Sequence, residues 1–250
     1  MEVIVNKKNT FITVVLGLIL LGLAWVGYQT VVDRSCSKPT RIILVRHGQT
    51  SWNEQHILQG NADIPLDEVG IAEAETLAQE LADKDIDAIF SSRLSRAHDT
   101  ALAIAALHGL DVHINDNLRE IGLGIYTGYQ GGQIPEEMRV SWASDPDISF
   151  PSGIPDTTDL VEPQFVEGIQ FEGESLNMAA ERSWQGIRDL AQQHCGKNIV
   201  VATHGGIIKI ALTQVNGLPV TDYSQFSVAN GSQTVLEFEP DGSVVVLEDW

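Results

Sequence analysis

The runs RIILV (Arg41–Val45) and NIVVAT (Asn198–Thr203) restrict the possible folds more than any other feature of this chain. Neither alternates apolar with polar residues through its core, so a strand built from either is covered on both faces. Such strands belong to a largely parallel sheet with helices packed above and below it. The intervening sequence supplies those helices. EVGIAEAETLAQELADK, LSRAHDTALAIAALHG with its closing Gly109, ESLNMAAERSWQGIRDLAQQH and GGIIKIALTQV all read as helical. In the first of these, Val69, Ile71, Leu77 and Leu81 are the expected buried positions. IDAIF and DVHI supply further strands, Ile134–Ala143 a shorter helix, and the chain end a hairpin turning at Asp241-Gly242. The alternation predicts an α/β, three-layer sandwich with a mostly parallel central sheet. Asp145–Phe171, rich in proline, glycine and acid, predicts an extended insert or lid.

The residues just beyond each strand are unusual. Arg46-His47-Gly48 comes directly after RIILV, Ser91-Ser92-Arg93 and Arg96 after IDAIF, and His204-Gly205-Gly206 after NIVVAT. Arginine and histidine cost free energy to bury. Ligands of open α/β sheets bind outside the carboxyl ends of the strands. Three strand tips that each present a cation or an imidazole to one sheet edge therefore point to an anion.

Charge sharpens the point. The chain carries fifteen Lys and Arg against 34 Asp and Glu; beyond Arg41 the balance is ten against 32, near −22. A surface of that sign repels nucleic acid, and no basic stripe interleaved with aromatics argues otherwise. Scarce cations gathered beside histidines mark a local anion site in an acidic body.

Ahead of this domain, Phe11–Tyr28 contains no charge. Extended to Val32 it matches the roughly 20 residues that span a bilayer as a helix. Lys7 and Lys8 precede it, and Trp25 and Tyr28 fall where an interfacial belt belongs. The expected organisation is a transmembrane segment within 1–32 (about 11–32), a tether over 33–40 and one domain over 41–250. A cleaved signal peptide is the rival reading, weakened by the length of the run and the lack of an A-x-A site. The span predicts a membrane location. Flanking charge is nearly balanced (Lys7 and Lys8 before; Arg34, Lys38 and Arg41 after), and a signal-anchor reading slightly favours the domain outside the cytoplasm. The two cysteines, Cys36 and Cys195, lack metal-site spacing, and with Cys36 in the tether a disulfide between them is the less favoured outcome.

The blocks RHGQTSWN, SSRLSRAHDTA, LREIGLGIYTG, GES and VATHGG resemble, in order, the motifs of the histidine phosphatase superfamily, also called phosphoglycerate-mutase-like. The resemblance covers residues 41–215. It implies phosphoryl transfer through a covalent intermediate, which needs a nucleophile, cationic clamps and a proton donor. By resemblance His47 is the nucleophile, with Gly48 or a neighbour orienting its ring through a backbone carbonyl. Arg46 and Arg96 clamp the phosphoryl oxygens through guanidinium forks. His204, protonated beside the anion, completes the clamp, and the Gly205 turn adds backbone N–H groups. Glu120 matches the proton donor, a role a carboxyl can fill near neutrality in a partly desolvated site. Asn53, Thr50, Gln59 and Gly60 fall at substrate- or phosphate-contacting positions. Arg93 is divided evenly between a substrate contact and a surface charge. The resemblance implies no cofactor and no metal.

Phosphatase relatives often read LREIDFGEWEG, so Gly122, Tyr126 and Thr127 here replace an acid, a tryptophan and an acid. The mutase blocks FTGW and LNERHYG are absent. The reading is therefore a phosphomonoester hydrolase acting on a small phosphorylated metabolite. Mutase-type transfer is the alternative, and an inactive membrane-tethered phospholigand-binding module is the alternative of a different class.

Overall fold

A computed structural model describes residues 36–153, 171–248 and 250. Its centre is a six-stranded sheet in the order β3-β2-β4-β1-β5-β6. The strands are β1 (Thr40–Arg46), β2 (Ala88–Ser91), β3 (Val112–Ile114), β4 (Asn198–Thr203), β5 (Gln233–Phe238) and β6 (Val244–Leu247). β1, β2, β3 and β4 run parallel, with Arg46 opposite Thr203, whereas β5 and β6 add an antiparallel edge. The expected three-layer sandwich is therefore present around a mixed sheet.

The helices are α1 (Ser51–Glu54), α2 (Glu68–Leu81), α3 (Ser95–His108), α4 (Glu136–Ser144), α5 (Leu176–Gln193) and α6 (Gly205–Val215). Alternate β1 residues serve the two faces, as strand geometry requires. Ile43 and Val45 pack with Leu77, Leu81 and Ile104 from α2 and α3. Ile42 and Leu44 pack with Ile187, Leu190 and Ile208 from α5 and α6. A third cluster, including Ile134, Trp142, Phe150 and Leu176, sits beyond the carboxyl edge of the strands.

The buried stripe of α2 differs from expectation. Leu77 and Leu81 are buried, but Val69 and Ile71 are about half exposed, and Gly70, Ala74 and Ala78 take the inner face. Backbone contact sets this rotation. A Cβ on Gly48 would stand 2.2 Å from the Gly70 carbonyl oxygen, and one on Gly70 would stand 2.0 Å from that of Gln49. The two glycines meet back to back, which fixes the loop after β1 and turns residues 69 and 71 outward.

Two further expectations are corrected. A disulfide joins Cys36 to Cys195. Parallel pairing explains it: residues just ahead of β1 and just ahead of β4 lie side by side, and the Gly196 amide donates to Thr40 Oγ1 (2.9 Å). The leading transmembrane helix, the membrane as a partner and the location drawn from them are not upheld. Among the described residues no helix is long and apolar enough to cross a membrane. The longest, α5, buries one face only. The span expected over about 11–32 lies outside the described residues, as does most of the expected insert (154–170).

Candidate active site

Three parallel strands deliver the central residues to one edge. β1 ends at Arg46 and leads into His47, β4 leads into His204 at the start of α6, and β2 leads through Ser92 to Arg96 in the first turn of α3.

His47 is held by its backbone and its ring. Its amide donates to the Thr203 carbonyl (3.1 Å), and its carbonyl accepts from Asn230 Nδ2 (3.0 Å) and the Gly231 amide (3.3 Å). Ring Nδ1 lies 2.7 Å from the Gly48 carbonyl oxygen. A carbonyl can only accept, so Nδ1 carries the proton and Nε2 keeps a free lone pair. Burial, then the cations Arg96 and Arg46, hold the imidazole well below its ordinary pKa against the opposing pull of that carbonyl. The ring is neutral.

His204 faces it edge-on, with ring centroids 5.2 Å apart. It is fully buried, and neither ring nitrogen has a hydrogen-bond partner among the described residues. Burial first, then Arg96 and His47, depress its pKa strongly. The expectation of a protonated His204 therefore holds only with an anion bound beside it. Arg96 is equally buried; it donates to the Ala62 and Gly60 carbonyls (2.7 and 2.9 Å). Burial pushes its pKa down to about 10, which leaves it charged at neutrality. Arg46 donates to the Val228 carbonyl (2.6 Å). Nε of both arginines is buried and has no partner among the described residues.

Glu120 reaches the same place from the loop after a short 3₁₀ turn at Asp116–Leu118. Its Oε2 accepts from the Gly206 amide (3.1 Å) and Oε1 from the Ile121 amide (2.9 Å). Only glycine at 206 permits this approach, because a Cβ there would lie 2.4 Å from Glu120 Oε1.

Arg46, His47, Arg96, Glu120 and Gly205 line one cleft of about 430 Å³, and Asn53, Gln59 and Gly60 line it with them. Thr50 does not. It is fully buried, and its hydroxyl accepts from the Asn53 amide (3.2 Å) as the cap of α1. Arg93 is also outside the cleft, paired with Asp116 on the surface. The outer wall is aromatic. Trp142 stacks on Phe150 (4.6 Å between centroids) and meets Tyr223 edge-on (6.0 Å). Burial and then Glu120 push the Tyr223 hydroxyl up to about 12, so it remains a donor. Among the described residues no group of acids, histidines and cysteines is arranged to hold a metal ion.

Residues 42–250 match the family model described as histidine phosphatase superfamily, branch 1. The chain belongs to the histidine phosphatase superfamily. It is 34% identical over 174 residues to phosphoglycerate mutase-like protein 4 of Arabidopsis thaliana, covering 67% of each chain. To a metal-independent phosphoserine phosphatase of the same plant it is 32% identical over 179 residues, covering 69% of this chain and 67% of that one. A mutant phosphoserine phosphatase from Entamoeba histolytica, solved in complex with phosphoserine, superposes with a TM-score of 0.67 at 28% identity. That match covers 83% of this chain and 94% of the other.

For this histidine phosphatase the motif blocks pointed to the inner end of the cleft and missed its surroundings. Asn230, whose Nδ2 bridges the His47 carbonyl and Asn53 Oδ1 (3.0 and 3.1 Å), comes from the turn before β5. The Asn230-Gly231 pair ahead of a strand was the available signal. Lys209 and Arg139, which line the cleft without an ion-pair partner among the described residues, lie on α6 and α4, where nothing in the local sequence separates them from surface charges.

Proposed function

We propose that the chain hydrolyses phosphomonoesters of small metabolites through a phosphohistidine at His47. One observation carries this reading. Arg46 Nε, Arg96 Nε and both nitrogens of His204 are buried near His47 with no hydrogen-bond partner among the described residues. An unsatisfied buried polar group costs about 1–3 kcal/mol. A phosphoryl group at His47 Nε2 would accept hydrogen bonds from both arginines and from His204.

The steps follow from the proton inventory. His47 Nε2 attacks phosphorus in line with the ester oxygen, the N–P bond forms and the P–O bond breaks. The ester oxygen leaves with the proton of Glu120, which lies at the Gly206 turn on the cleft wall. Arg46, Arg96 and His204 hold the equatorial oxygens, and Asn53, Gln59 and the amides at Gly60 and Gly205 contribute polar contacts. Water then attacks the phosphohistidine, Glu120 takes back the proton, and inorganic phosphate departs with His47 restored.

Lys209 and Arg139 favour a substrate that carries a carboxylate besides its phosphate. In a domain this acidic, two cations in one cleft without acid partners among the described residues are well placed for a second anion. The phosphoserine phosphatase named among the relatives makes phosphoserine the first compound to test, with 3-phosphoglycerate beside it. Purified protein should release phosphate from such compounds, and rapid mixing with ³²P-labelled substrate should give acid-labile, base-stable label. Undiminished turnover in His47→Ala would sink the reading. Conversion of 3-phosphoglycerate to 2-phosphoglycerate without phosphate release would replace hydrolysis by mutase chemistry.

A further inference from the structure

The GES block has no part in the chemistry derived so far, yet its Glu174 is one of the most buried charges in the molecule, at 3% exposure. Its carboxylate is fully engaged. Oε1 accepts from Arg182 Nε (2.8 Å) and Arg119 Nη2 (3.2 Å), while Oε2 accepts from Arg182 Nη2 (2.7 Å) and the Gly122 amide (2.8 Å). Burial alone would push its pKa up, but the Arg182 hydrogen bonds and charge, the Gly122 amide and Arg119 outweigh it and keep the group ionised.

Arg182 does more than pair with Glu174. Its Nη1 donates to the carbonyls of Asn117 (2.8 Å) and Arg119 (3.0 Å), and its Nη2 to that of Glu120 (3.3 Å). The Glu174 amide also donates to the Gly122 carbonyl (2.8 Å). The backbone is therefore gripped on both sides of Glu120: at 117, 119 and 120 by Arg182, and at 122 by Glu174. This segment lies between two 3₁₀ turns and belongs to no strand or α-helix, so no ladder fixes it. The same contact accounts for Gly122, where phosphatase relatives often carry an acid. A Cβ at 122 would stand 2.3 Å from the Glu172 carbonyl oxygen.

We propose that Glu174 and Arg182 are positioning residues for the Glu120 carboxyl, setting its place opposite the leaving oxygen. The inference rests on Glu120 acting as the proton donor. A displaced donor affects only substrates whose leaving group needs a proton, whereas a loosened fold affects every substrate.

The experiment compares phosphoserine, an alkyl phosphate, with p-nitrophenyl phosphate, whose phenolate leaves unaided, in Arg182→Lys, Glu174→Gln, Glu120→Gln and the pair Glu120→Gln/Arg182→Lys. Arg182→Lys keeps the charge and loses the fork. It should lower kcat for phosphoserine on the order of 10- to 100-fold, with a several-fold smaller loss for p-nitrophenyl phosphate. Glu174→Gln should show the same asymmetry, and in the Glu120→Gln background Arg182→Lys should cost nothing more. Vanadate affinity, a readout of the Arg46–Arg96–His204 pocket, should stay close to the parent's in both single variants. Equal losses on the two substrates, additivity with Glu120→Gln, or collapse of vanadate binding in both variants would overturn the proposal. Failure of the underlying reading looks different: Glu120→Gln alone would then lose both substrates equally.

Discussion

The two ends of the cleft are built by different means. At the inner end Arg96 is 0% and His47 3% exposed, His204 packs against the His47 ring at 0% exposure without itself lining the cleft, and the chain at His47 is tied into the β1–β4 register. The outer end is assembled from α4, the loop around Phe150 and a 3₁₀ turn at Val220–Gln225. Ring packing holds it: Trp142, itself 6% exposed, lies between Phe150 and Tyr223 and donates through Nε1 to the Glu174 carbonyl (3.0 Å). Strand pairing fixes the backbone at His47, and side-chain packing shapes the outer wall. Chemistry can thus stay fixed while loops set selectivity.

The largest effect should come from the inner end and be independent of substrate. His47→Ala should lower kcat on the order of 10⁴-fold or more, on phosphoserine and p-nitrophenyl phosphate alike. Arg96→Lys should cost about 10²- to 10³-fold, since an ammonium cannot reproduce the fork that also reaches Ala62 and Gly60. Steady-state kinetics on both substrates checks this. A wall variant with an equally large loss on both would break the division between the two ends.

The inner end should also respond to acid, with a sign fixed by burial. His47 and His204 lie well below the ordinary histidine pKa, because of burial first and neighbouring cations second. Unfolded, both take up protons below about pH 6.5. The unfolded state then binds more protons than the folded one, so their contribution to stability is complete above about pH 6.5 and is lost as the pH falls toward the folded values. The slope is up to about 1.4 kcal/mol per pH unit for each histidine. Urea unfolding between pH 7.5 and 5.5 should show this loss, and a His47→Asn/His204→Gln double variant should show a shallower one. Saturating phosphate, which favours protonated His204, should flatten the parent's curve.

The same division explains what the sequence could disclose. RIILV and NIVVAT announced themselves because a strand covered on both faces must be apolar throughout, and the cations at their tips stood out against a body carrying a large acidic excess. The floor of the site was legible for that reason. Asn230, Arg139, Lys209 and Tyr223 were not, because only tertiary packing brings each of them to the site. Val69 and Ile71 misled for a related reason: backbone contact between Gly48 and Gly70 rotates α2, and periodicity carries no record of it. Cys36 looked like tether, yet parallel register sets it beside Cys195. Closing a loop of that length contributes up to about 5 kcal/mol in the chain-entropy treatment.

A moderate effect is expected at the outer end, and it should depend on substrate. Lys209→Ala removes a half-buried cation from the cleft without touching the groups around His47. KM for phosphoserine should rise about tenfold, the worth of one charge-assisted hydrogen bond. Arg139→Ala should act in the same direction and less strongly, because Arg139 is the more exposed of the two. Neither should change KM for p-nitrophenyl phosphate, which has no carboxylate. Parallel rises on both substrates would assign these cations to the phosphate and remove the distinction drawn between the two ends.

The smallest effect is expected at Thr50, which the motif places among substrate contacts and the structure places beneath them. Its hydroxyl accepts from the Asn53 amide, and its own amide donates to Asn53 Oδ1, both at 3.2 Å, closing a capping box on α1. Asn53 Oδ1 also accepts from Asn230 Nδ2 (3.1 Å), the group that holds the His47 carbonyl. Thr50 therefore reaches the His47 backbone only through three successive hydrogen bonds. Thr50→Ala should cost about 1 kcal/mol of stability, the usual worth of a cap. Its kcat/KM should fall only about threefold through a loosened Asn53, less than in Asn53→Ala. Thr50→Ser, which keeps the capping oxygen, should restore both quantities together. Melting curves run beside kinetics for the three variants decide the matter. A loss in Thr50→Ala larger than that in Asn53→Ala, with stability unchanged, would move the hydroxyl out of the cap and onto the phosphate.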